Sequence, residues 1–253
     1  MPLTKAGRMA EGAFGISPLL LLLLAAVALR ASTFGDPNVG GDETFYQTVG
    51  IAMHHGAVPY VDVWDRKPWG LFFLFYLITG ISSAPAGYQL IATGFAAATA
   101  WIIGRIAIRW TDRQGALLAG LAYLVFLIPF QGYGGQSPVF YNLFIAAAAL
   151  LVLRATPGLR KGDVDWRSHL AMLLAGIAIT MKTTAFFEAA FLGLWCSTVL
   201  LTAPWAKRPP GRTIVAWALL GAAPALLIAA GYALAGYWSI YWTAMVTSNF
   251  TKS

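Results

Sequence analysis

Residues 41–70 read GDETFYQTVGIAMHHGAVPYVDVWDRKPWG and follow one long apolar run. The stretch carries Asp42, Glu43, Asp62 and Asp65, the adjacent histidines His54 and His55, and the step Arg66-Lys67-Pro68. The whole chain has only 10 Asp and Glu, so these four carboxylates are a large share of its acid. So polar a segment cannot lie in hydrocarbon, where charges and unpaired polar groups are expensive. It belongs at or above one face of a membrane, and it divides the apolar sequence around it.

The rest of the chain is lipid-compatible. Hydrophobic residues make up 58% and charged residues 11% of 253 residues, more apolar side chain than a soluble domain of this size needs. The composition predicts an all-α, polytopic membrane protein forming one domain over residues 1–253. The net charge of +7 reads as topology and not as nucleic-acid binding, because the basic residues cluster in short loops between apolar runs. Cys196 is the sole cysteine; with His54, His55 and His169 it makes no zinc-ligand pattern.

Moving outward, residues 14–34 fit a first span with Arg30 snorkelling at its exit better than a cleaved signal peptide ending near Ala31. Residues 43–55 have helical character, with Phe45, Val49, Ala52 and Met53 on one face, as for a helix lying along the membrane. Gly56 stops it, and Pro59 and Pro68 bracket an extended segment, 60–67. Trp69–Ile81 is apolar but too short to cross comfortably, and predicts a juxtamembrane or re-entrant helix. Crossings follow at 88–108, 116–129 and 139–153. Residues 170–203 are too long for one crossing and read as a hairpin broken at Lys182-Thr183-Thr184. A last crossing covers 213–234, and Tyr237, Trp238, Tyr241 and Trp242 then form an aromatic belt. The total is about seven crossings. Basic loops at 105–113, 154–167 and 207–212 place the N-terminus in the cytoplasm and residues 35–85 outside.

An acidic pair after the first apolar helix, then G-x-x-P-Y-x-D-x-W-D-x-K-P, resembles the first outer loop of GT-C membrane glycosyltransferases. The nearest groups are the bacterial dolichyl-phosphate-mannose-type mannosyltransferases and the lipid A aminoarabinose transferases. The Met181-Lys182-Thr183 break and the Arg-rich helix ends are similar to theirs as well. The resemblance implies an enzyme of the bacterial inner membrane that moves a sugar from a polyprenyl-phosphate carrier to a lipid, glycan or protein acceptor. It makes Asp42 or Glu43 the candidate base and sets Lys67 against the carrier phosphate. It also implies that the chain is the N-terminal module of a longer family architecture, without its C-terminal part. Where many members carry an acid in the second outer loop, this chain has Gln136.

The chemistry asks for few groups. A carboxylate within hydrogen-bond reach deprotonates the acceptor hydroxyl. A divalent cation, or Lys and Arg alone, stabilises the departing phosphate. Adjacent acids at a helix start diverge by about 100°, so one of Asp42 and Glu43 faces substrate while the other caps the helix. Asp65, Arg66, His55, Gln136 and Lys182 complete the candidate substrate contacts. Trp69–Ile81 starts just after Pro68, so its positive end lies beside Lys67. Its apolar body, Leu71 to Phe75, would line a groove for the isoprenoid. Two other classes compete. A transporter would put its charges mid-membrane between repeats, and a non-catalytic or truncated partner protein would fit the short length and Gln136.

Overall fold

In the computed structural model the chain is all-α, and residues 16–132, 134–204 and 209–250 are described. Helix α1 (Ile16–Arg30) runs into a 3-10 turn, Ala31–Thr33. Helices α2 (Gly41–His54) and α3 (Trp69–Ile81) flank the polar loop. Then come α4 (Pro85–Ala107), α5 (Arg113–Leu127), α6 (Ser137–Leu159), α7 (Trp166–Ile179), α8 (Ala185–Leu201) and α9 (Pro210–Leu234). The described part ends with α10 (Trp238–Trp242), a π-helical turn at Thr243–Thr247 and α11 (Ser248–Phe250).

Four segments are long and apolar enough to cross a bilayer: Ile16–Thr33, Pro85–Ala107, Ser137–Leu159 and Pro210–Leu234. They mark a multi-pass membrane protein. Helices α5, α7 and α8 have 15, 14 and 17 residues, roughly 21–26 Å at 1.5 Å per residue, short of the ~30 Å hydrocarbon core. Only Thr213, Trp217 and Tyr232 of α9 are buried, as expected for a helix whose solvent is lipid.

Local sequence sets the boundaries. Pro85 and Pro210 open α4 and α9, where a missing N–H costs nothing. Asp112 and Asp165 cap α5 and α7, accepting from the amides of Gly115 and Arg167 at 2.8 and 3.0 Å. Small residues let helices touch. Gly120 of α5 meets the Ala100 carbonyl of α4 and the Leu22 side chain of α1, Gly176 of α7 meets the backbone of Gly221 on α9, and Gly50 of α2 abuts the backbone of Phe75 on α3. In lipid such close packing replaces the hydrophobic drive for association. Two cores result, one among α1–α6 with the loop, the tail, Met181 and Tyr232, the other among α6–α9.

The bundle has two chemically different ends. At one, Arg30 of α1 bonds to the carbonyls of Gly132 and Gly134 after α5. Gln89 of α4 bonds to the backbone of Gly35 and Asp36, Gly70 abuts Thr180 after α7, and the Tyr232 hydroxyl of α9 donates to the Pro59 carbonyl. The loop between α2 and α3 caps this end. At the other lie Arg105 over the Trp101 ring, Arg109, Arg113, Arg154, Arg160, and Arg167 paired with Asp165 at 2.6 Å. Lys207 and Arg208 of the third basic loop fall outside the described residues.

Several expectations are corrected. Arg30 does not snorkel: it is 2% exposed and turned inward, because Thr93 Oγ1 and two loop carbonyls accept its N–H groups. Helix α2 packs through Tyr46, Val49 and Gly50 against α3, while Phe45, Ala52 and Met53 of the expected apolar face are partly buried. Residues 60–67 are no extended segment. Asp62 accepts from the Val58 amide at 2.8 Å, the Asp62 amide returns to the Val58 carbonyl at 2.9 Å, and Tyr60 adopts φ +70°, so the chain turns back on itself. In α3, Leu71, Phe72 and Phe75 are core residues and line no groove. The tail is only partly a belt: Trp238 and Trp242 are exposed, while Tyr241 stacks on Tyr232 and meets Tyr60. The break at Lys182 to Thr184 stands where the sequence puts it, between α7 and α8.

Candidate active site

Asp42 and Glu43 begin α2 but face opposite ways. Gly40 is the N-cap and no side chain caps the helix, so neither acid has the capping role expected for one of them. Asp42 points outward with 54% of its side chain exposed, and its Oδ2 lies 2.8 Å from Lys67 Nζ. The Tyr46 hydroxyl, one turn on, donates to the same oxygen at 3.1 Å. Lys67 also stands 5.4 Å from the centre of the Tyr46 ring.

Lys67 is held by its backbone. Asp65 Oδ1 accepts from the amides of Arg66 and Lys67, the latter at 2.9 Å, and the Tyr60 hydroxyl donates to the Lys67 carbonyl at 2.8 Å. Asp65 thus builds the turn that aims Lys67. The Tyr60 ring is anchored by Phe72, Tyr232 and Tyr241, and burial pushes its hydroxyl pKa well above the usual phenol range. The hydrogen bond to Lys67, the charge of that lysine and the Tyr46 hydroxyl hold the Asp42 carboxyl below its ordinary value against partial burial; Lys182 lowers it further. Burial works against the Lys67 ammonium, but hydrogen bonds to Asp42 and Tyr46 prevail and raise its pKa. Lys182 comes from the α7–α8 turn, beside Thr180 on Gly70. One ion pair, Asp42 with Lys67, is therefore made across the loop, and Lys182 adds positive charge from the α7–α8 turn without contacting Asp42.

Glu43 is 1% exposed. Its carboxylate fills a cradle of Gly40 and Gly134, where a Cβ on Gly134 would overlap both carboxylate oxygens. The Gly135 and Gln136 amides and the Arg30 guanidinium face it and hold its pKa down. None gives either oxygen a hydrogen bond of good geometry, and the buried Tyr88 hydroxyl nearby also has no such partner among the described residues. Burial therefore wins, helped by Asp42, and lifts the Glu43 pKa from 4.5 to about 6.

That shift carries a stability prediction. The folded chain holds the Glu43 proton more tightly than the unfolded one, so stability is greatest below pH 4.5 and falls as pH rises through 6. The loss is about 2 kcal/mol at 1.36 kcal/mol per pH unit. Glu43→Gln is expected to remove this slope and to be more stable than wild type at neutral pH by a similar amount. Detergent unfolding titrations at pH 5 and 7.5 measure both.

The remaining candidates separate. Gln136 stands at the N-cap position of α6 and, through its amide and its side chain near Gly40, belongs to the Glu43 cradle. Arg66 is exposed and reaches the Ser248 carbonyl at 3.5 Å, away from Asp42. His55 does not join the site: it is exposed at the far end of α2, about 20 Å from Asp42 along the helix. Its neighbour His54 stacks on Tyr76 at 4.2 Å and bonds to the Tyr76 carbonyl. Arg30, Tyr46, Tyr60, Gly134 and Tyr232 are contributors that the sequence reading missed. The Asp42–Tyr46 pair had a signal, the one-turn spacing.

Beside the site, starting at Trp69, an apolar groove of about 460 Å³ is lined by Val58, Trp69, Leu227, Ile228, Tyr232 and Tyr237. A second, apolar groove of about 410 Å³, between α6 and α8, is lined in part by the exposed Glu188 and borders none of the residues above. No three His, Cys, Asp or Glu side chains converge as metal ligands among the described residues; Asp42 meets the Lys67 ammonium and the Tyr46 hydroxyl. No protein-family model, curated protein or solved structure matches the chain.

Proposed function

We propose that the protein is a membrane glycosyltransferase that takes a sugar from a polyprenyl-phosphate carrier. The observation that supports it best is the Asp42–Lys67 pair at one end of the apolar bundle, within the electrostatic reach of Lys182 and beside an apolar groove. Two ammonium groups suit a phosphate and the groove suits an isoprenoid, while the exposed carboxylate suits a hydroxyl acceptor. In this reading α1 and α4–α9 make seven crossings, the shorter helices reaching across by local thinning. The basic end is cytoplasmic and the loop end external.

The reaction assigns a role to each group. The acceptor oxygen attacks the anomeric carbon, its proton passes to Asp42, and the sugar–phosphate C–O bond breaks. The carrier monophosphate leaves against Lys67 and Lys182. Asp42 is the better base of the two acids, because Glu43 is enclosed by the Gly134 cradle.

The test is release of polyprenyl monophosphate by proteoliposomes supplied with polyprenyl-phosphate-linked hexoses and pentoses and mixed lipid acceptors. Wild type is expected to release the carrier. Lys67→Ala is expected to raise KM at least tenfold, as for a lost hydrogen bond to a charged group. Release with no dependence on Lys67 would contradict the assignment.

A further inference from the structure

We propose that Lys67 changes partners during the cycle: its ammonium leaves Asp42 for the donor's phosphate, so that donor binding itself frees the carboxylate that acts as base. The inference rests on the glycosyltransferase reading and adds to it an order of events. At rest the two candidate groups neutralise each other, with Lys67 Nζ 2.8 Å from Asp42 Oδ2. A carboxylate in that pair is a poor proton acceptor, because the lysine holds its pKa down.

The geometry makes the exchange easy. The side chains are 36% and 54% exposed, so neither must cross a buried barrier, and an exposed pair of this kind is weak. The Lys67 backbone stays fixed by Asp65 and Tyr60, which confines the change to rotation of a flexible side chain. Tyr46 still donates to Asp42 Oδ2 after the lysine departs, so the base keeps its position. A phosphate has a further advantage over Asp42, since it brings more negative charge to Lys67. Both charges that face Asp42 across the site are cationic, and the one acid beside it, Glu43, is turned away into its cradle.

Exchange makes a counterintuitive prediction, that removing the candidate base tightens carrier binding. Farnesyl monophosphate is titrated into the detergent-solubilised full chain and followed by intrinsic tryptophan fluorescence or by calorimetry. Relative to wild type, Asp42→Asn is expected to bind about fivefold tighter, the equivalent of an exposed ion pair released. Lys67→Ala is expected to bind at least tenfold weaker. In the double variant the Asp42→Asn gain should vanish, because no lysine remains to be released. Lys67→Gln replaces Lys67→Ala if the alanine variant elutes as aggregate. An Asp42→Asn affinity equal to or below wild type overturns the exchange while leaving the phosphate site standing. A gain that persists without Lys67 also overturns it, leaving general repulsion in its place. Failure of wild type and every variant to bind farnesyl monophosphate overturns the phosphate reading together with the exchange.

Discussion

Asp42→Asn is expected to slow carrier release by roughly 10²–10⁴-fold, the usual contribution of a positioned general base, in a protein that folds normally. The side chain is outward-facing and makes its contacts with Lys67 and Tyr46, both on the same surface. Losing an exposed pair of this type costs at most about 1 kcal/mol, so a fall in turnover of that size cannot arise from instability. The neighbouring substitution supplies the contrast. Glu43→Gln keeps the shape of a side chain that fills the Gly134 cradle and should retain turnover within a few-fold. Turnover with intact Asp42→Asn and inactive Glu43→Gln would transfer the base to the buried acid.

The second large effect concerns stability. Arg30→Met is expected to lose roughly 3 kcal/mol or more, the cost of leaving buried polar groups unpaired. The guanidinium serves Thr93 on α4 and the carbonyls of Gly132 and Gly134, and it faces Glu43. No water reaches these groups, because Arg30 and Glu43 are 2% and 1% exposed. Gly134→Ala attacks the same cluster from the other side, since the new methyl overlaps the Glu43 carboxylate; overpacking of this kind costs about 1–3 kcal/mol. Pairing Gly134→Ala with Glu43→Ala makes room and should recover most of that loss. The comparison is made by detergent unfolding, and no recovery in the double variant would mean that the glycine is needed for another reason.

Much of this fold was legible because lipid enforces simple rules. Runs of apolar residues gave the long helices, and Lys182-Thr183-Thr184 announced a break because an ammonium is expensive inside an apolar run. Pro68 ahead of Trp69 marked the start of α3. What stayed hidden depended on partners distant in sequence. Arg30 sits where a lysine or arginine ordinarily snorkels, and only the carbonyls of Gly132 and Gly134, about a hundred residues on, turn it inward. Asp42 and Glu43 are equivalent as neighbours in a sequence; the glycine cradle decides which one is buried. Residues 60–67 carry prolines at both margins, which favours extended chain locally. The Asp62 side chain and the pull of Tyr232 and Tyr241 on Tyr60 override that preference.

The proposed binding of one phosphate by Lys67 and Lys182 is tested most directly by where a carrier lands, which needs no knowledge of the sugar. A polyprenyl monophosphate with a photoreactive diazirine beside its phosphate is irradiated with the protein in liposomes, and the adducts are mapped by mass spectrometry. The predicted result is labelling concentrated in residues 64–70 and 180–185, lost when Lys67→Ala and Lys182→Ala are combined. Labelling centred on the basic end, residues 105–113 and 154–167, or spread evenly over the lipid-facing helices, would contradict it.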